Sequence, residues 1–313
     1  MPEVVEVTLT SLFLNHKLKN KILTGVEILG GRYSRHPLLG LPILQINVPL
    51  TIKKICSWGK FMWFEGVSSK KRIYIMNTYG LEGMWGFTKQ KHSNILFKLK
   101  HPTKQKTYNL YFTDSRNFGT LEITTVKKDL SEKLLGLGQD LLREDFSDEE
   151  FFDRVEKLCE KKTVANKEIY KILMDQTSST GLGAGIGNYL VSNILYTAGM
   201  SPHKKLKELC GNKNQCSKLS VAIRYELKLA YLTEDIGYME HIDRKIDKFV
   251  KKLRDSIKAN KNHKYNFHPD THLGNAKFKF YVYRQKTDPD GHPVKGDEII
   301  KKRTSYWSPA VQK

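Results

Sequence analysis

The sequence predicts a mixed α+β fold in two domains. After an N-terminal helix, short β-branched and aromatic segments separated by turn residues fill the chain up to residue 128. From about residue 147 the apolar residues take a helical spacing instead, and residues 261–313 return to strand and turn patterns. These observations favour an N-terminal helix with a β-sandwich, then a hinge, then a helical domain that ends in a β-hairpin.

In the first domain, the apolar residues of 2–18 follow a helical stripe through Val5, Leu9 and Phe13. Alternating or β-branched runs then predict strands, with turn signals such as Gly30-Gly31 between them. The predicted strands are 54–66, 72–79, 95–99, 108–113 and 120–126.

In the second half, residues 129–146 are predicted to be the hinge. Ser147 followed by Glu150 is a capping-box signal for a helix over 151–161. Further helices are predicted at 166–176, 188–198, 217–232 and 236–259, and tail strands at 277–283 and 298–307. The predicted domains are therefore 1–128, a linker at 129–146, then 147–260 and 261–313.

Composition favours a polyanionic partner. The chain of 313 residues has 53 Lys+Arg against 33 Asp+Glu, a formal net charge of +20. Nucleic acid fits such a charge best and an anionic membrane surface second, although a lysine excess also arises from genomic base composition. We expect no membrane-spanning segment, because no apolar run reaches the ~18 residues of a membrane span. We also expect no secretory signal, because the first residues show no basic region followed by an apolar one.

The four cysteines form no recognisable framework, which favours a reducing interior such as the nucleus or cytoplasm. They are Cys56, Cys159, Cys210 and Cys216.

The first residues offer a nucleophile. If Met1 is removed, Pro2 carries a secondary α-amine, which has a pKa near 8 against about 10.4 for lysine and is a better nucleophile at neutral pH. Attack on an aldehyde would give an iminium cation, and Glu3 and Glu6 could donate or accept protons beside it. Met-Pro starts are also common, and acidic residues in a first helical turn simply complement the helix dipole.

A glycine-rich stretch follows Asp175-Gln176, with glycines at 181, 183, 185 and 187. Dinucleotide binding is excluded because a G-x-G-x-x-G spacing needs glycine at position 186, which is Ile, and because 169–174 is helical in pattern. A glycine turn that opens a helix can instead offer backbone N–H groups to a phosphate.

Taken in order, these motifs resemble the formamidopyrimidine-DNA glycosylase/endonuclease VIII family over nearly the whole chain. The resemblance is closest to the zincless endonuclease VIII-like enzymes. It implies a bifunctional glycosylase and abasic-site lyase in which Pro2 attacks C1′ of a damaged nucleotide, Glu3 protonates the sugar ring and Glu6 assists. Oxidised pyrimidines are then the favoured lesions, and β,δ-elimination follows base removal.

The resemblance also implies DNA contacts. Lys60, in Ser57-Trp-Gly-Lys60-Phe, corresponds to a phosphate-binding lysine, although a solvent-facing strand lysine fits equally well. Gly187 and Asn188 lie in the family's helix–two-turn–helix motif, where they hold the DNA backbone. Arg303 stands at the position of a phosphate-binding arginine in the terminal hairpin.

Two loops resemble the family's duplex-entering loops. Leu81 takes the position of the apolar wedge, with Met84 as a substitute candidate. Arg116 and Phe118 would contact the base left unpaired by lesion extrusion. An ordinary hairpin turn with a core leucine, and a turn paired through Asp114, are the structural alternatives.

The tail departs from the zinc-binding members of the family. Their ligand positions correspond to Asp290, Pro293, Ser308 and Val311, and proline and valine cannot ligate zinc. We therefore expect a zincless hairpin, no metal and no cofactor.

Damaged DNA is the expected partner, with no membrane association and a monomeric state. The alternative is a non-catalytic DNA- or RNA-binding basic protein, which would show no preference for damage and no effect of Pro2 substitution.

Overall fold

The computed structural model describes residues 2–69, 71–260, 268 and 270–313, which form two compact units. The first unit contains Pro2, Glu6–Leu135 and Ile236–Asp255, and the second contains Glu3–Val5, Gly136–Asp235 and Ser256–Lys313. The chain thus changes unit within the predicted linker 129–146. The sequence pattern does not predict that a later segment returns to the first unit. The start of the predicted tail, 261–267, lies outside the described residues.

The helices are α1 (Val4–Leu18), α2 (Leu41–Asn47), α3 (Lys127–Leu135), α4 (Asp148–Cys159), α5 (Lys162–Ala165), α6 (Ile169–Met174), α7 (Asn188–Thr197), α8 (Lys213–Thr233) and α9 (Ile246–Ala259). The strands are β1 (Ile22–Ile28), β2 (Leu50–Trp58), β3 (Phe61–Ser68), β4 (Lys71–Thr78), β5 (Met84–Gly86), β6 (Ser93–Lys100), β7 (Thr107–Thr113), β8 (Thr120–Thr124), β9 (Lys295–Ile300) and β10 (Arg303–Trp307).

An eight-stranded antiparallel sheet dominates the first unit, in the order β5-β7-β6-β1-β2-β3-β4-β8. Its core contains four aromatic rings 5.1–6.0 Å apart, those of Phe64, Trp85, Phe97 and Phe112. The predicted class of mixed helix and sheet is confirmed. The apolar pattern predicts one strand over 54–66, whereas the structure divides it into β2 and β3 with a tight turn at Gly59 and Lys60.

The returning segment packs on α1 and β5 within the first unit. Phe249 of α9 contacts Phe13 edge-to-face, with ring centroids 5.4 Å apart. The Phe87 N–H donates to the Ile242 carbonyl at 3.1 Å. The predicted continuous helix over 236–259 is wrong at its start, because a 3₁₀ helix and turns occupy 237–245 before α9 begins.

In the second unit, α4 begins as the sequence predicts. The Ser147 hydroxyl accepts from the Glu150 N–H at 3.0 Å, and the Glu150 carboxylate accepts from the Ser147 N–H at 2.7 Å, so the capping box is confirmed. Cys159 at the end of α4 forms a disulfide with Cys210. The spacing of the four cysteines does not predict this pairing, so the expectation that they form no framework is corrected for these two.

The tail departs from its predicted strands at 277–283. Its alternating aromatic residues predict a strand, but the backbone is irregular there. The Phe278 N–H donates to the Thr233 hydroxyl at 2.8 Å and the Tyr281 N–H to the Asn193 amide oxygen at 3.2 Å. Side chains of α8 and α7 therefore take the hydrogen bonds that a neighbouring strand would supply. The predicted strand over 298–307 is a hairpin of β9 and β10.

Among the described residues, no helix combines the length and the apolar character that crossing a membrane requires.

Candidate active site and nucleic-acid interface

The first residues of the chain contact the glycine-rich stretch within the second unit. The Val4 N–H donates to the Gly185 carbonyl at 3.0 Å. The Glu3 carboxylate is buried and accepts hydrogen bonds from the N–H groups of Gly187 at 2.6 Å, Tyr189 at 3.0 Å and Leu190 at 3.4 Å. Since these donors open α7, Glu3 places a carboxylate at the positive end of that helix.

Two glycines leave the space that these contacts need. A Cβ atom at Gly185, which has φ +120°, would lie 2.7 Å from the Val4 Cβ. A Cβ atom at Gly187 would lie 2.3 Å from the carboxyl carbon of Glu3. Gln176 fixes the turn, since its side chain accepts from the Gly185 N–H at 2.7 Å and donates to the Ile186 carbonyl at 3.0 Å.

This geometry changes the expectation for Gly187. Its spacing predicts an N–H group offered to a phosphate, whereas the structure directs that N–H to Glu3. The Gly187 N–H is therefore not available to an anion, and the side chain of Asn188, the next residue, is a donor that can take its place.

Asn188 begins α7 and is held from two sides. Its Nδ2 donates to the Thr304 carbonyl of β10 at 3.1 Å, and its Oδ1 accepts a hydrogen bond from the Tyr170 hydroxyl. Arg303, half-buried at the start of β10, is next to Thr304 in the chain. The second unit therefore brings Glu3, Asn188 and Arg303 to one region, as their motifs predict.

Tyr170 is the member of this region that the sequence does not indicate. Burial raises the pKa of its hydroxyl to about 12, and the nearby charge of Glu3 raises the pKa while that of Arg303 lowers it. The hydroxyl thus stays protonated and donates at neutral pH. In the sequence Tyr170 is part of the apolar stripe of α6, and no spacing rule separates it from Ile169 or Leu173.

The other predicted catalytic residues have clear positions. Pro2 is half-buried and lies one peptide bond before Glu3. Glu6, in the first turn of α1, accepts a hydrogen bond from the Tyr238 hydroxyl at 3.0 Å within the first unit. Lys60 is half-buried in the β2–β3 turn rather than inside a strand. Because a turn ends the alternation of side chains, the strand-lysine alternative for Lys60 no longer applies.

The two loops that resemble the family's duplex-entering loops lie against each other in the first unit. A Cβ atom at Gly80, which has φ +67°, would lie 2.6 Å from the Gly119 nitrogen, so the loop of Leu81 lies directly against the loop of Phe118. Buried Asp114 fixes the second loop by accepting from the N–H groups of Arg116 at 3.1 Å and Gly119 at 2.6 Å.

The side chains on these loops point outward to different extents. Phe118 is 56% exposed, Arg116 is exposed, and Leu81 and Met84 are half-buried. An exposed phenylalanine on a rigid loop is a surface that an unstacked base can contact. The core-leucine alternative for Leu81 is not supported by its half-buried position.

Hydrogen bonds to the Asp288 carboxylate connect the segment before β9 with the residue that follows β10. The Asp288 Oδ2 accepts from the Ser308 hydroxyl at 2.8 Å and lies 3.1 Å from His292 Nδ1. The ligand atoms of Asp288, Asp290 and His292 lie within 4.8 Å of one another. Pro293 and Val311, which the resemblance places at two of the family's zinc-ligand positions, offer no ligand side chain, so the residues present do not fit that zinc site.

Comparisons with known proteins agree across the chain. The family model of the formamidopyrimidine-DNA glycosylase N-terminal domain matches residues 1–121, and that of the C-terminal domain matches residues 269–313. The formamidopyrimidine-DNA glycosylase of Wolbachia sp. subsp. Brugia malayi is 28% identical over 242 residues, covering 74% of this chain and 79% of the relative. That of Bacillus subtilis is 27% identical over 216 residues, covering 67% and 71%.

Solved structures share the fold. The Lactococcus lactis enzyme in complex with DNA that contains an oxidised pyrimidine has a TM-score of 0.71 at 19% identity, covering 100% of both chains. The MutM (Fpg) protein of Thermus thermophilus has a TM-score of 0.70 at 20% identity, covering 99% of this chain and 98% of that one.

Proposed function

Since the chain belongs to the formamidopyrimidine-DNA glycosylase family, we propose that it excises oxidised bases from DNA through a Schiff base on Pro2. As a family member it is a base-excision DNA glycosylase with lyase activity at abasic sites, and damaged DNA is its partner. We propose oxidised pyrimidines as the preferred lesions, a monomeric state, and a location in the nucleus or cytoplasm together with the DNA. We also propose a hairpin that holds no zinc.

One observation supports this proposal most directly, namely the fixed carboxylate of Glu3 one residue after Pro2. Three N–H groups at the start of α7 hold it in the second unit, the unit that also contains Asn188 and Arg303. A carboxylate held next to the proposed nucleophile suits a sugar-ring opening, because it can carry a proton from the Pro2 nitrogen to the ring oxygen as the ring opens.

The chemistry requires that Met1 be removed, so that Pro2 carries a free secondary amine. The amine nitrogen attacks C1′ and forms the N–C1′ bond, while the bond from C1′ to the base breaks and the leaving base takes a proton from solvent. The Glu3 carboxylate then carries the N–H proton of the attached Pro2 nitrogen to the ring oxygen as the C1′–O4′ bond breaks, which leaves an iminium cation between the Pro2 nitrogen and C1′. That cation acidifies the C2′ hydrogen, and β-elimination then breaks the 3′ C–O bond, followed by δ-elimination at the 5′ side.

The remaining residues hold the duplex. We propose that Lys60, Asn188 and Arg303 contact phosphates. Gly187 contributes by leaving room for the Glu3 carboxylate beside the start of α7. Leu81, Arg116 and Phe118 fill the space that the extruded nucleotide leaves. Glu6 assists from the first turn of α1.

Borohydride trapping tests this proposal. Wild-type protein, its N-terminus checked by intact mass, is incubated with duplexes containing thymine glycol, dihydrouracil, 8-oxoguanine or an abasic site. We expect wild-type protein to form a covalent adduct, with more adduct on the pyrimidine lesions than on 8-oxoguanine. Pro2→Thr should form no adduct on any of these duplexes. Pro42→Thr, in α2 of the first unit, is the matched control and should trap like wild type.

Tight DNA binding without any adduct would overturn the lyase mechanism. It would leave the non-catalytic DNA- or RNA-binding protein as the better description.

A further inference from the structure

We propose that Tyr170 is a positioning residue that fixes the side chain of Asn188 for contact with a DNA phosphate. This inference rests on the proposed function, because it concerns how the same site grips its substrate. Its basis is the pair of hydrogen bonds that reach Asn188 from α6 and from β10.

The hydrogen bonds determine which way the amide faces. A backbone carbonyl only accepts, so the Asn188 nitrogen faces Thr304 and its oxygen faces the Tyr170 hydroxyl. The amide nitrogen has two hydrogens and Thr304 takes one of them. The second hydrogen therefore has a direction that Tyr170 and Thr304 set together.

Most of the backbone N–H groups at the start of this helix are already used. Those of Gly187, Tyr189 and Leu190 donate to Glu3. A phosphate beside α7 therefore depends on side-chain donors such as Asn188 and Arg303.

Tyr170 is suited to act as a permanent donor. Its side chain is fully buried, and its hydroxyl points to the Asn188 side-chain oxygen. Because burial keeps the hydroxyl protonated at neutral pH, it donates to Asn188 at every pH at which the enzyme would be assayed. A phenylalanine would fill the same volume but leave the Asn188 oxygen without this donor.

The test measures binding to a duplex that contains a tetrahydrofuran abasic analogue, by fluorescence anisotropy. Tyr170→Phe should raise Kd about 3- to 10-fold, the effect of one lost hydrogen bond, and KM should rise by a similar factor while kcat falls less. Tyr225→Phe, on α8 of the same unit, is the matched control and should leave both constants unchanged.

A double-mutant cycle separates positioning from a general effect on folding. Asn188→Ala should weaken binding, and adding Tyr170→Phe to it should weaken binding no further. Wild-type affinity in Tyr170→Phe would overturn the inference, and so would a full additional loss in the double variant, which is what a misfolded protein would give.

The analogue has no aldehyde and cannot form a Schiff base. If the wild type binds it but traps no abasic DNA, the proposed lyase function fails while the role of Tyr170 is still decided by the binding cycle.

Discussion

The Gly187 backbone lies so close to the Glu3 carboxylate that no side-chain atom fits at position 187. A Cβ atom at position 187 would lie 2.3 Å from both the carboxyl carbon and Oε1 of Glu3. Gly187 has φ −128°, a value that other residues adopt readily. Glycine is therefore required here for space and not for backbone freedom.

Gly187→Ala should displace the Glu3 carboxylate and lower the single-turnover rate of base excision by about 100-fold, the lower range for loss of a proton-transfer group. Rapid-quench measurements at saturating enzyme give this rate directly. Gly25→Ala is the control, because the nearest atom to its added Cβ is 4.0 Å away. An unchanged excision rate in Gly187→Ala would show that Glu3 tolerates displacement and is not the acid.

Phe118→Ala should weaken lesion extrusion, since it removes an exposed ring that can stack on an unpaired base. We expect about 5- to 20-fold slower excision from duplex DNA and a much smaller effect on single-stranded DNA, where no stack must be replaced. Leu39→Ala is the control, because Leu39 is 62% exposed elsewhere in the first unit. Equal losses on both substrates would argue against a wedge.

Glu168 should make stability depend on pH in the acid range. Burial raises the pKa of Glu168, but hydrogen bonds from Lys171 and Lys205 outweigh this and lower it from 4.5 to about 2. Because the folded-state pKa is below the unfolded one, the stabilisation is complete above about pH 4.5 and is lost as the pH falls towards 2.

Glu168→Gln should therefore lower Tm by about 2 °C at pH 7, a small value because both partner lysines are more than a third exposed. The difference from wild type should shrink steadily below pH 4.5 in thermal melts. Glu132→Gln, which removes an exposed partner of Lys128, serves as control. A difference that persists unchanged to pH 3 would contradict the assignment.

Ser308→Ala should destabilise the terminal hairpin, because it removes one of the donors to the buried Asp288 carboxylate. Since the N–H groups of Asp290 and His292 still donate to it, we expect a loss of about 1 kcal/mol, measurable by denaturant unfolding. Ser131→Ala on α3 is an exposed control. EDTA should leave the wild-type Tm unchanged, and a lowered Tm with EDTA would show that a metal contributes.

Local signals explain what the sequence predicts well. The Ser147–Glu150 pair marks the start of α4 because both partners of the capping box lie within one turn. Most strands of the first unit follow from alternating apolar residues. β1 is not predicted, because Thr24, Gly25 and Glu27 interrupt its apolar residues.

Long-range contacts explain most of what the sequence does not predict. Glu3 meets Gly187 across 184 positions, and no periodicity encodes that pairing. The family resemblance places both residues in one site, but it does not indicate that the Gly187 N–H bonds to Glu3. The sequence does not indicate Tyr170 for the same reason, because its proposed role depends on where Asn188 lies in the folded unit.

The return of Ile236–Asp255 to the first unit bears on the order in which the protein can fold during synthesis. Phe249 packs on Phe13, and the Ile242 carbonyl accepts from Phe87, yet these partners are separated by more than 150 positions of chain. The eight-stranded sheet can leave the ribosome complete while this last layer over α1 is still missing. The Gly136–Asp235 part of the second unit is thus translated before the first unit is finished, and a nascent chain stopped at Asp235 lacks the segment that packs on Phe13 of α1.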